Sequence, residues 1–306
     1  MLHIKSLDEG LELFKALGSD MRIQILKLLL ENKSLSMNQL ATRLNITNGA
    51  LTGHIKKLES CGLVSISNNP AAHGNQKLCS LTTNKIMIEI EQEHAMENTH
   101  VIELKVGHFS GHSILPTCGI ATPTGLIGET DDPRYFDHPD RFNADILWFT
   151  KGYVEYTVPN YLSRNQKITS INISCEISSE APGVNSRWPS DISFFLNGVP
   201  LGLWTSPGDF GETAKGLLTP DWWPVNWNQY GLLKLLTVTK DGTSIDGLKI
   251  SNVTIDDLDL APGRPAIFRI GVMPESQNVG GLTLFGKSFG NYGQDIRFSF
   301  TYAPTE

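Results

Sequence analysis

The spacing of apolar residues changes once along this chain of 306 residues, and that change divides it into two parts. Up to about residue 97, apolar residues recur every three or four positions, as on one face of an amphipathic helix. From about residue 100 they alternate with polar residues, as in half-buried strands. The chain is long enough for two ordinary domains. We therefore expect a multidomain α+β protein, with one domain over residues 1–97 and an all-β domain over residues 98–306.

Composition changes at the same place. The net charge of −7 combines +1 over residues 1–96, which hold 10 Lys+Arg and 9 Asp+Glu, with −8 over residues 97–306, which hold 15 and 23. All six tryptophans, 22 of 28 glycines and 15 of 16 prolines lie in the second part. The acidic average therefore does not exclude a nucleic-acid partner, because affinity for DNA depends on local basic residues of the first part.

Several protein classes are excluded by what the sequence lacks. The four cysteines (Cys61, Cys79, Cys118 and Cys175) stand singly, which excludes a disulfide scaffold or a closed cysteine zinc site and fits a reducing compartment. No apolar stretch approaches the length of a membrane-spanning helix. The N-terminus lacks the basic start and apolar run of a signal peptide. We expect a cytoplasmic protein with no membrane contact and no cofactor.

The first part predicts helices and one hairpin in a defined order. They are a helix over residues 7–17, a helix from Asp20, a short helix capped by Ser36, a longer helix from Thr47 or Asn48 to about Ser60, strands Leu63–Ile66 and Leu78–Leu81, and a helix over Asn84–Met96. The two strands enclose a polar loop that forms a wing. This order is the winged-helix plan, in which the second helix of the helix-turn-helix pair enters the DNA major groove.

Polar and basic residues around that longer helix form the predicted DNA surface. Small and hydroxyl side chains at its start suit close approach, and the amide of Asn48 can read adenine. The residues assigned to DNA are Arg22, Arg43, Thr47, Asn48, Thr52, His54, Lys56, Lys57, His73 and Lys77. Each alone is more often a solvated helix residue, but the complete order of elements favours DNA binding.

Two segments, FKALGSDMRIQILKLLLE and LATRLNITNGALTGHIKKLESCGLV, resemble the ArsR/SmtB family of bacterial winged-helix repressors. The resemblance covers about residues 7–95. It implies a homodimer, formed through the first and last helices, on an inverted-repeat operator of double-stranded DNA. It also implies that the wing over Asn68–Lys77 touches the flanking minor groove or backbone. The positions it places against DNA are Thr47, Asn48, Thr52 and His54.

This sequence departs from the metal-sensing members of that family. Those members carry cysteines in the third helix, whereas this chain has no thiol between Ser36 and Leu40. We therefore expect no metal. Glu89, Glu93 and His94 on the last helix keep a metal-responsive repressor open as an alternative, because Glu and His at helical spacing can ligate zinc.

The second part reads as an antiparallel sandwich or jelly roll, with about eight alternating segments separated by turns such as Asn197-Gly198. The connection Ser206–Tyr230 is rich in aromatic and polar side chains. Aromatic rings stack on the C–H faces of sugars, so we expect an effector site, with carbohydrate as the favoured ligand class. The residues assigned to it are Trp188, Trp204, Asp209, Asp221, Trp222, Trp223, Trp227 and Tyr230. Alternatively, some tryptophans close the end of the sandwich.

The segments DISFFLNGVPLGLWTSPGDFG, TPDWW and FGKSFGNYGQDI resemble C-terminal jelly-roll domains of some Gram-positive ArsR-type regulators, and more loosely carbohydrate-binding modules. That resemblance does not identify the ligand. The sequence as a whole predicts a transcriptional repressor, not an enzyme, whose β domain senses a small molecule. The alternatives are a protein-docking domain or a glycan-active enzyme.

Two candidate sets of side chains bear on the enzyme and metal alternatives. No nucleophile-elbow pattern occurs in the sequence. The carboxylates available for glycoside hydrolysis are Asp191, Asp209, Glu212, Asp221 and Asp295. A cupin-like metal site could form from His108, His112, Asp137 and His138.

Overall fold

The computed structural model describes residues 2–4, 6–69, 76–83, 86–88, 98–212 and 214–305. The chain divides into two compact units, residues 1–93 and residues 94–306. We call them the N-terminal unit and the C-terminal unit. Within the described ranges, no helix has both the length and the apolar composition needed to cross a membrane.

The N-terminal unit follows the winged-helix order. Its elements are β1 (Leu2–Ile4), α1 (Leu11–Leu17), α2 (Asp20–Glu31), β2 (Leu35–Ser36), α3 (Met37–Leu44), α4 (Asn48–Ser60), β3 (Val64–Asn69), β4 (Gln76–Leu81) and β5 (Ile86–Ile88). Strands β3 and β4 pair antiparallel and form the hairpin, and β2 adds to β4 as a third strand. The predicted winged helix-turn-helix is therefore confirmed.

One apolar core holds these elements together. Ile25 of α2, Leu40 of α3 and Leu51 of α4 are fully buried in it, and Cys79 of β4 closes it from the hairpin side. Burying one such aliphatic side chain stabilises the fold by about 1.5–3 kcal/mol. The position of α4 is thus set by the core and not by its own helix propensity.

The predicted helix over Asn84–Met96 is wrong where the structure describes it. Ile86–Ile88 forms β5, which pairs in parallel with β1. β-Branched residues such as Ile86 and Ile88 favour strands, and the partner strand comes from the start of the chain, which local spacing does not reveal. The rest of that segment, with Glu89, Glu93 and His94, lies outside the described residues.

The C-terminal unit is built of antiparallel strands. They are β6 (Thr99–Leu104), β7 (Gly111–Thr122), β8 (Gly125–Leu126), β9 (Ile146–Val158), β10 (Gln166–Ser178), β11 (Ser190–Leu196), β12 (Val199–Ser206), β13 (Leu232–Thr239), β14 (Gly242–Ile245), β15 (Leu248–Ser251), β16 (Ala266–Val272), β17 (Leu282–Phe285) and β18 (Ile296–Pro304). All of them hydrogen-bond into one branched sheet.

This sheet has two halves that meet at β17. One half runs β12-β11-β16-β9-β7-β8 and the other runs β15-β14-β13-β10-β18-β6. Residues 146–149 of β9 pair with β17, whereas residues 152–158 pair with β16. Strand β10 likewise pairs first with β18 and, at its end, with β17. The long strands therefore change partners, and the halves separate beyond β17.

A large apolar core lies between the two halves. Phe268 of β16 and Phe298 of β18 belong to opposite halves, and their ring centroids are 5.4 Å apart in an edge-to-face arrangement. Both side chains are fully buried. The expectation of a multidomain α+β chain with an antiparallel, strand-rich second domain is confirmed, while the jelly-roll assignment stays a prediction.

Candidate functional site

The helix-turn-helix is held by local hydrogen bonds. Ser36 accepts a hydrogen bond from the backbone N–H of Gln39, whose side chain accepts one from the backbone N–H of Ser36, a complete capping box at the start of α3. Asn45 takes a left-handed backbone conformation at the turn, with φ of 54°. Thr47 then caps α4 through a hydrogen bond from Ala50 N–H.

One face of α4 is buried and the opposite face is open. Leu51, Ile55 and Leu58 face the core, while the exposed face carries Thr52 and Lys56 together with two glycines. A Cβ atom placed on Gly53 would meet no atom within 4 Å. This surface is free of side-chain bulk near the start of the helix, as close approach to a groove requires.

Two of the polar side chains predicted to read bases are oriented by hydrogen bonds. Asn48 donates from Nδ2 to Oδ1 of Asn38 at 2.8 Å, so α3 and α4 are linked at their exposed edge. Thr52 donates from Oγ1 to the carbonyl of Asn48 at 2.7 Å. Both side chains are exposed, and their remaining acceptor or donor capacity faces solvent.

Most of the predicted basic positions are exposed in the N-terminal unit. Arg43, Lys56, Lys57 and Lys77 have exposed side chains, and His54 is half-buried. His73 lies outside the described residues.

Arg22 requires a correction. Its side chain is buried, and it donates from Nε to the carbonyl of Ala16 at 2.6 Å and from Nη2 to the carbonyl of Lys15 at 2.7 Å. These carbonyls lie in the last turn of α1, where helical partners are missing. The guanidinium therefore joins α2 to the end of α1, and we remove Arg22 from the DNA-facing set.

The C-terminal unit contains a cavity of about 160 Å³. Its lining comes from six separate stretches of chain. They lie in β7, in the loop after β8, in β9, in the loop after β10, in the loop before β13, and in β17. The aromatic and acidic side chains that line it, with one hydroxyl, are Trp148, Trp223, Trp227, Asp131, Glu180 and Thr283. Of these, the sequence analysis identified Trp223 and Trp227.

Indole rings form one wall of this cavity. The ring centroid of Trp223 is 5.0 Å from that of Trp227 and 5.6 Å from that of Trp148, both edge-to-face. Phe289 packs against Trp223 from outside the cavity lining, at 5.1 Å. The Nε1 of Trp223 donates to the carbonyl of Asn228. The wall is therefore rigid, because each ring is fixed by a neighbour.

Two carboxylates face the same space. Glu180 follows β10, and its Oε2 lies 3.2 Å from Oγ1 of Thr283. Burial, together with the neighbouring carboxylates of Asp209 and Asp131, raises the pKa of Glu180 to about 8, against the hydrogen bond from Thr283. Asp131 has an exposed carboxylate that accepts a hydrogen bond from Cys118 N–H at 2.9 Å.

Buried polar groups support the cavity from behind. Asn228 donates from Nδ2 to Ser178 Oγ, to the carbonyl of Ser179 and to Thr283 Oγ1. Asp209 is fully buried and accepts hydrogen bonds from the N–H groups of Ala181 and Asn185. These bonds shape the loop that follows β10, which forms the rim of the cavity next to Glu180.

The other residues assigned to an effector lie apart from this lining. Asp209 does not line the cavity, but its hydrogen bonds hold the loop that forms the cavity rim. Trp204 packs on the main core under the Lys234 ammonium, and Tyr230 stacks on Phe210 at 5.5 Å. Asp221 is exposed and paired with Lys215.

Trp222 and Trp188 complete that set. Trp222 donates from Nε1 to the carbonyl of Pro123, at the outer side of Trp223. Trp188 is exposed, and its backbone N–H bonds to Pro207. Trp148, Glu180 and Asp131 are lining residues that the sequence analysis missed.

The histidines considered for a metal site each make a hydrogen bond within the fold. His108 Nε2 lies 3.2 Å from the carbonyl of Phe142, and His112 Nε2 lies 3.0 Å from Asp137 Oδ1. His138 accepts a hydrogen bond from Asp140 N–H at Nδ1. Among the residues that the structure describes, no group of three or more His, Cys, Asp or Glu side chains is arranged to hold a metal ion.

Comparison with known proteins bears on the N-terminal unit. A family model described as winged helix-turn-helix DNA-binding matches residues 19–65. An uncharacterized protein of Methanocaldococcus jannaschii is 38% identical over 71 residues, which make up 23% of this chain and 76% of that protein. The solved structure of HlyU from Vibrio cholerae is 31% identical and covers 24% of this chain and 76% of that chain, with a TM-score of 0.22.

A longer but more distant likeness is to the Cry4Aa toxin from Bacillus thuringiensis. It covers 78% of this chain and 29% of that chain at 10% identity, with a TM-score of 0.29. Structural likeness at these TM-scores carries no argument about function. The family match covers residues 19–65, all of which lie in the N-terminal unit.

Proposed function

Because its N-terminal unit belongs to the winged helix-turn-helix DNA-binding family, we propose that this chain is a transcription regulator whose C-terminal unit binds a small-molecule effector. We further propose that it is a cytoplasmic repressor of the ArsR type, that it acts as a homodimer on an inverted repeat, and that the effector is a saccharide. Effector binding changes operator affinity, which requires the effector to bind two conformations of the protein differently.

The observation that carries the DNA-binding part is the open face of α4. Its N-terminal half presents glycines and hydroxyl side chains, and Lys56 and Lys57 follow at positions suited to phosphates. Exposed Arg43 on α3 and Lys77 on the hairpin add positive charge from neighbouring elements. Small residues near the bases with cations around them match how a recognition helix binds a duplex.

Apolar side chains on the surface of the N-terminal unit support the dimer proposal. Leu11 on α1 is 51% exposed and Leu30 on α2 is 63% exposed. We propose that these leucines belong to one apolar patch, since contiguous exposed apolar patches mark protein–protein interfaces. An inverted-repeat operator follows from a two-fold dimer, since each half-site then meets one recognition helix.

The tryptophan-walled cavity supports the effector proposal. Indole walls suit the C–H faces of a sugar ring, and Glu180, Asp131 and the hydroxyl of Thr283 suit its hydroxyl groups. A volume of about 160 Å³ is well below the roughly 300–1,000 Å³ of drug-sized sites, so the proposed ligand is a single ring and not an oligosaccharide.

We propose that the C-terminal unit binds its ligand without transforming it. Three of the carboxylates considered for glycoside hydrolysis are used by the fold itself. Asp191 accepts hydrogen bonds from Asn278 and Thr205, Asp209 from Ala181 and Asn185, and Asp295 from Lys287 N–H. Glycoside hydrolysis requires two carboxyl groups that contact the substrate, whereas these three are hydrogen-bonded to the protein. Ligand binding has no such requirement.

The DNA-binding proposal is tested by the salt dependence of affinity for a duplex of mixed sequence. We expect K56A/K57A to weaken binding and to lower the slope of log K against log[salt] by roughly two, about 0.9 for each lost phosphate contact. The matched control is K167A/K240A, which removes two exposed lysines of the C-terminal unit and the same net charge. Equal affinity and slope in K56A/K57A and the wild type would refute the assignment of α4.

A further inference from the structure

The cavity of the C-terminal unit is lined by two carboxyl groups and, among the described residues, by no basic side chain. Among the described residues that line it, Asp131 and Glu180 are the charged ones. The charged groups that act on the pKa of Glu180 are the carboxylates of Asp209 and Asp131, so its surroundings are acidic on two sides. A carboxylate in such a place lacks the compensating cation that a buried charge ordinarily requires.

The hydrogen bonding of Glu180 leaves acceptor capacity unused. Thr283 Oγ1 lies 3.2 Å from Glu180 Oε2 and 3.3 Å from the carbonyl of Ser179, and it accepts a hydrogen bond from Asn228 Nδ2. A hydroxyl has a single proton to donate, so two acceptors share it. The carboxylate therefore presents lone pairs to the cavity that Thr283 does not satisfy.

The opposite wall of the cavity is aromatic. Trp148, Trp223 and Trp227 line it together, and Trp223 and Trp148 are almost entirely buried behind it. Indole is the side chain whose ring face attracts a cation most strongly, and the attraction is larger where water is excluded. Tryptophan rings beside uncompensated carboxylates form a pairing that favours an organic cation over a neutral molecule.

We propose that this cavity binds the ammonium group of its ligand, between the Glu180 carboxylate and the tryptophan wall. Resting on the function proposed above, this makes the effector an amino sugar, whose ring packs on the indoles while its protonated amine meets Glu180 and Asp131. The ammonium donates to both carboxylates, and Thr283 keeps the orientation of Glu180. A sugar with hydroxyl groups alone brings no charge that favours ionisation of Glu180, so it gains no ion pair with this carboxyl group.

Binding of an ammonium group next to Glu180 is expected to release the proton of this carboxyl group, which can be measured. Burial raises the pKa of Glu180 to about 8, so the empty cavity holds Glu180 mainly protonated at neutral pH. A bound ammonium favours the ionised carboxylate, so binding displaces a proton to the buffer. Affinity for the amine is then expected to rise with pH until the free amine itself loses its proton, whereas affinity for a neutral sugar does not rise in this way.

The test is calorimetric titration of the full chain with glucosamine, glucose and methylammonium in buffers of different ionisation enthalpy. We expect glucosamine to bind at least roughly tenfold more tightly than glucose, which corresponds to about 1.4 kcal/mol, with release of a proton. Glu180→Gln removes both the preference and the proton release. Asp131→Asn weakens the preference and tolerates the positive φ of 64° at that position. Glu275→Gln, exposed and outside the cavity, behaves as the wild type.

The outcomes separate this inference from the proposed function. Equal binding of glucose and glucosamine in the wild type and in Glu180→Gln overturns the ammonium site and leaves the saccharide proposal in place. Binding of methylammonium without either sugar supports the ammonium site and overturns the saccharide. No heat with any probe at millimolar concentration overturns both, while the DNA-binding proposal is decided separately by K56A/K57A. A stable fold of each variant is checked by its thermal unfolding.

Discussion

At the scale of single residues, Arg22 is a basic side chain that is buried and stabilises the fold through hydrogen bonds. It donates to two carbonyls at the end of α1. We expect Arg22→Met to lower the free energy of unfolding of the N-terminal unit by about 2 kcal/mol, because buried carbonyls lose their donors. Circular dichroism at helical wavelengths during denaturant unfolding measures this. The salt slope of DNA binding stays as in the wild type. A flatter slope with unchanged stability would instead return Arg22 to the DNA surface.

Other residues show what sequence could and could not predict about the cavity. Trp223 and Trp227 could be predicted from the sequence, because a cluster of tryptophans in one loop is an unusual composition. Trp148 and Glu180 were not, since each sits in or beside an ordinary strand segment. They meet the loop only because β17 pairs with both β9 and β10 and brings the ends of these strands together. That arrangement depends on contacts far apart in sequence, which spacing does not encode.

At the scale of elements, Gly53 lowers the stability of α4 but leaves its proposed DNA-facing surface without a side chain. A Cβ on Gly53 meets nothing within 4 Å, and glycine inside a helix costs about 1 kcal/mol relative to alanine. We expect Gly53→Ala to stabilise the N-terminal unit by up to about 1 kcal/mol and to weaken DNA binding, since the methyl group occupies the surface that we propose approaches the groove. Denaturant unfolding and duplex titration measure the two effects. Gln24→Ala, exposed on α2, is the control. Unchanged affinity would show that this face does not meet DNA.

Elements were predictable where the sequence contains a local signal. The capping box at Ser36, the cap at Thr47 and the turn after α4 with Gly62 at φ of 73° are all encoded within a few residues. Strand β5 was not, because a short apolar run with helical spacing can also form a strand when a partner is present. Its partner β1 lies more than eighty residues away in sequence.

At the scale of the whole molecule, the two units differ in how their charge is placed. The acidic excess belongs to the C-terminal unit, and four of its carboxyls are buried enough to have raised pKa values. Burial raises the pKa of Glu180 to about 8, of Glu176 to about 7, and of Asp209 and Asp295 to about 6. For Glu176 burial outweighs three backbone N–H groups that lower its pKa.

These raised pKa values make the stability of the C-terminal unit depend on pH. The folded unit binds more protons than the unfolded chain from about pH 4 to about pH 8, so the free energy of unfolding falls as pH rises across that window. Carboxyls with lowered pKa values, such as Asp191, act only at lower pH. All six tryptophans lie in this unit, so tryptophan fluorescence of the full chain reports its unfolding separately. We expect Tm to fall by several degrees between about pH 6 and about pH 8.5, and Glu180→Gln to reduce that fall. A Tm that is constant or rises over this interval would mean that these carboxyls are ionised in the folded unit, as compensating cations would make them.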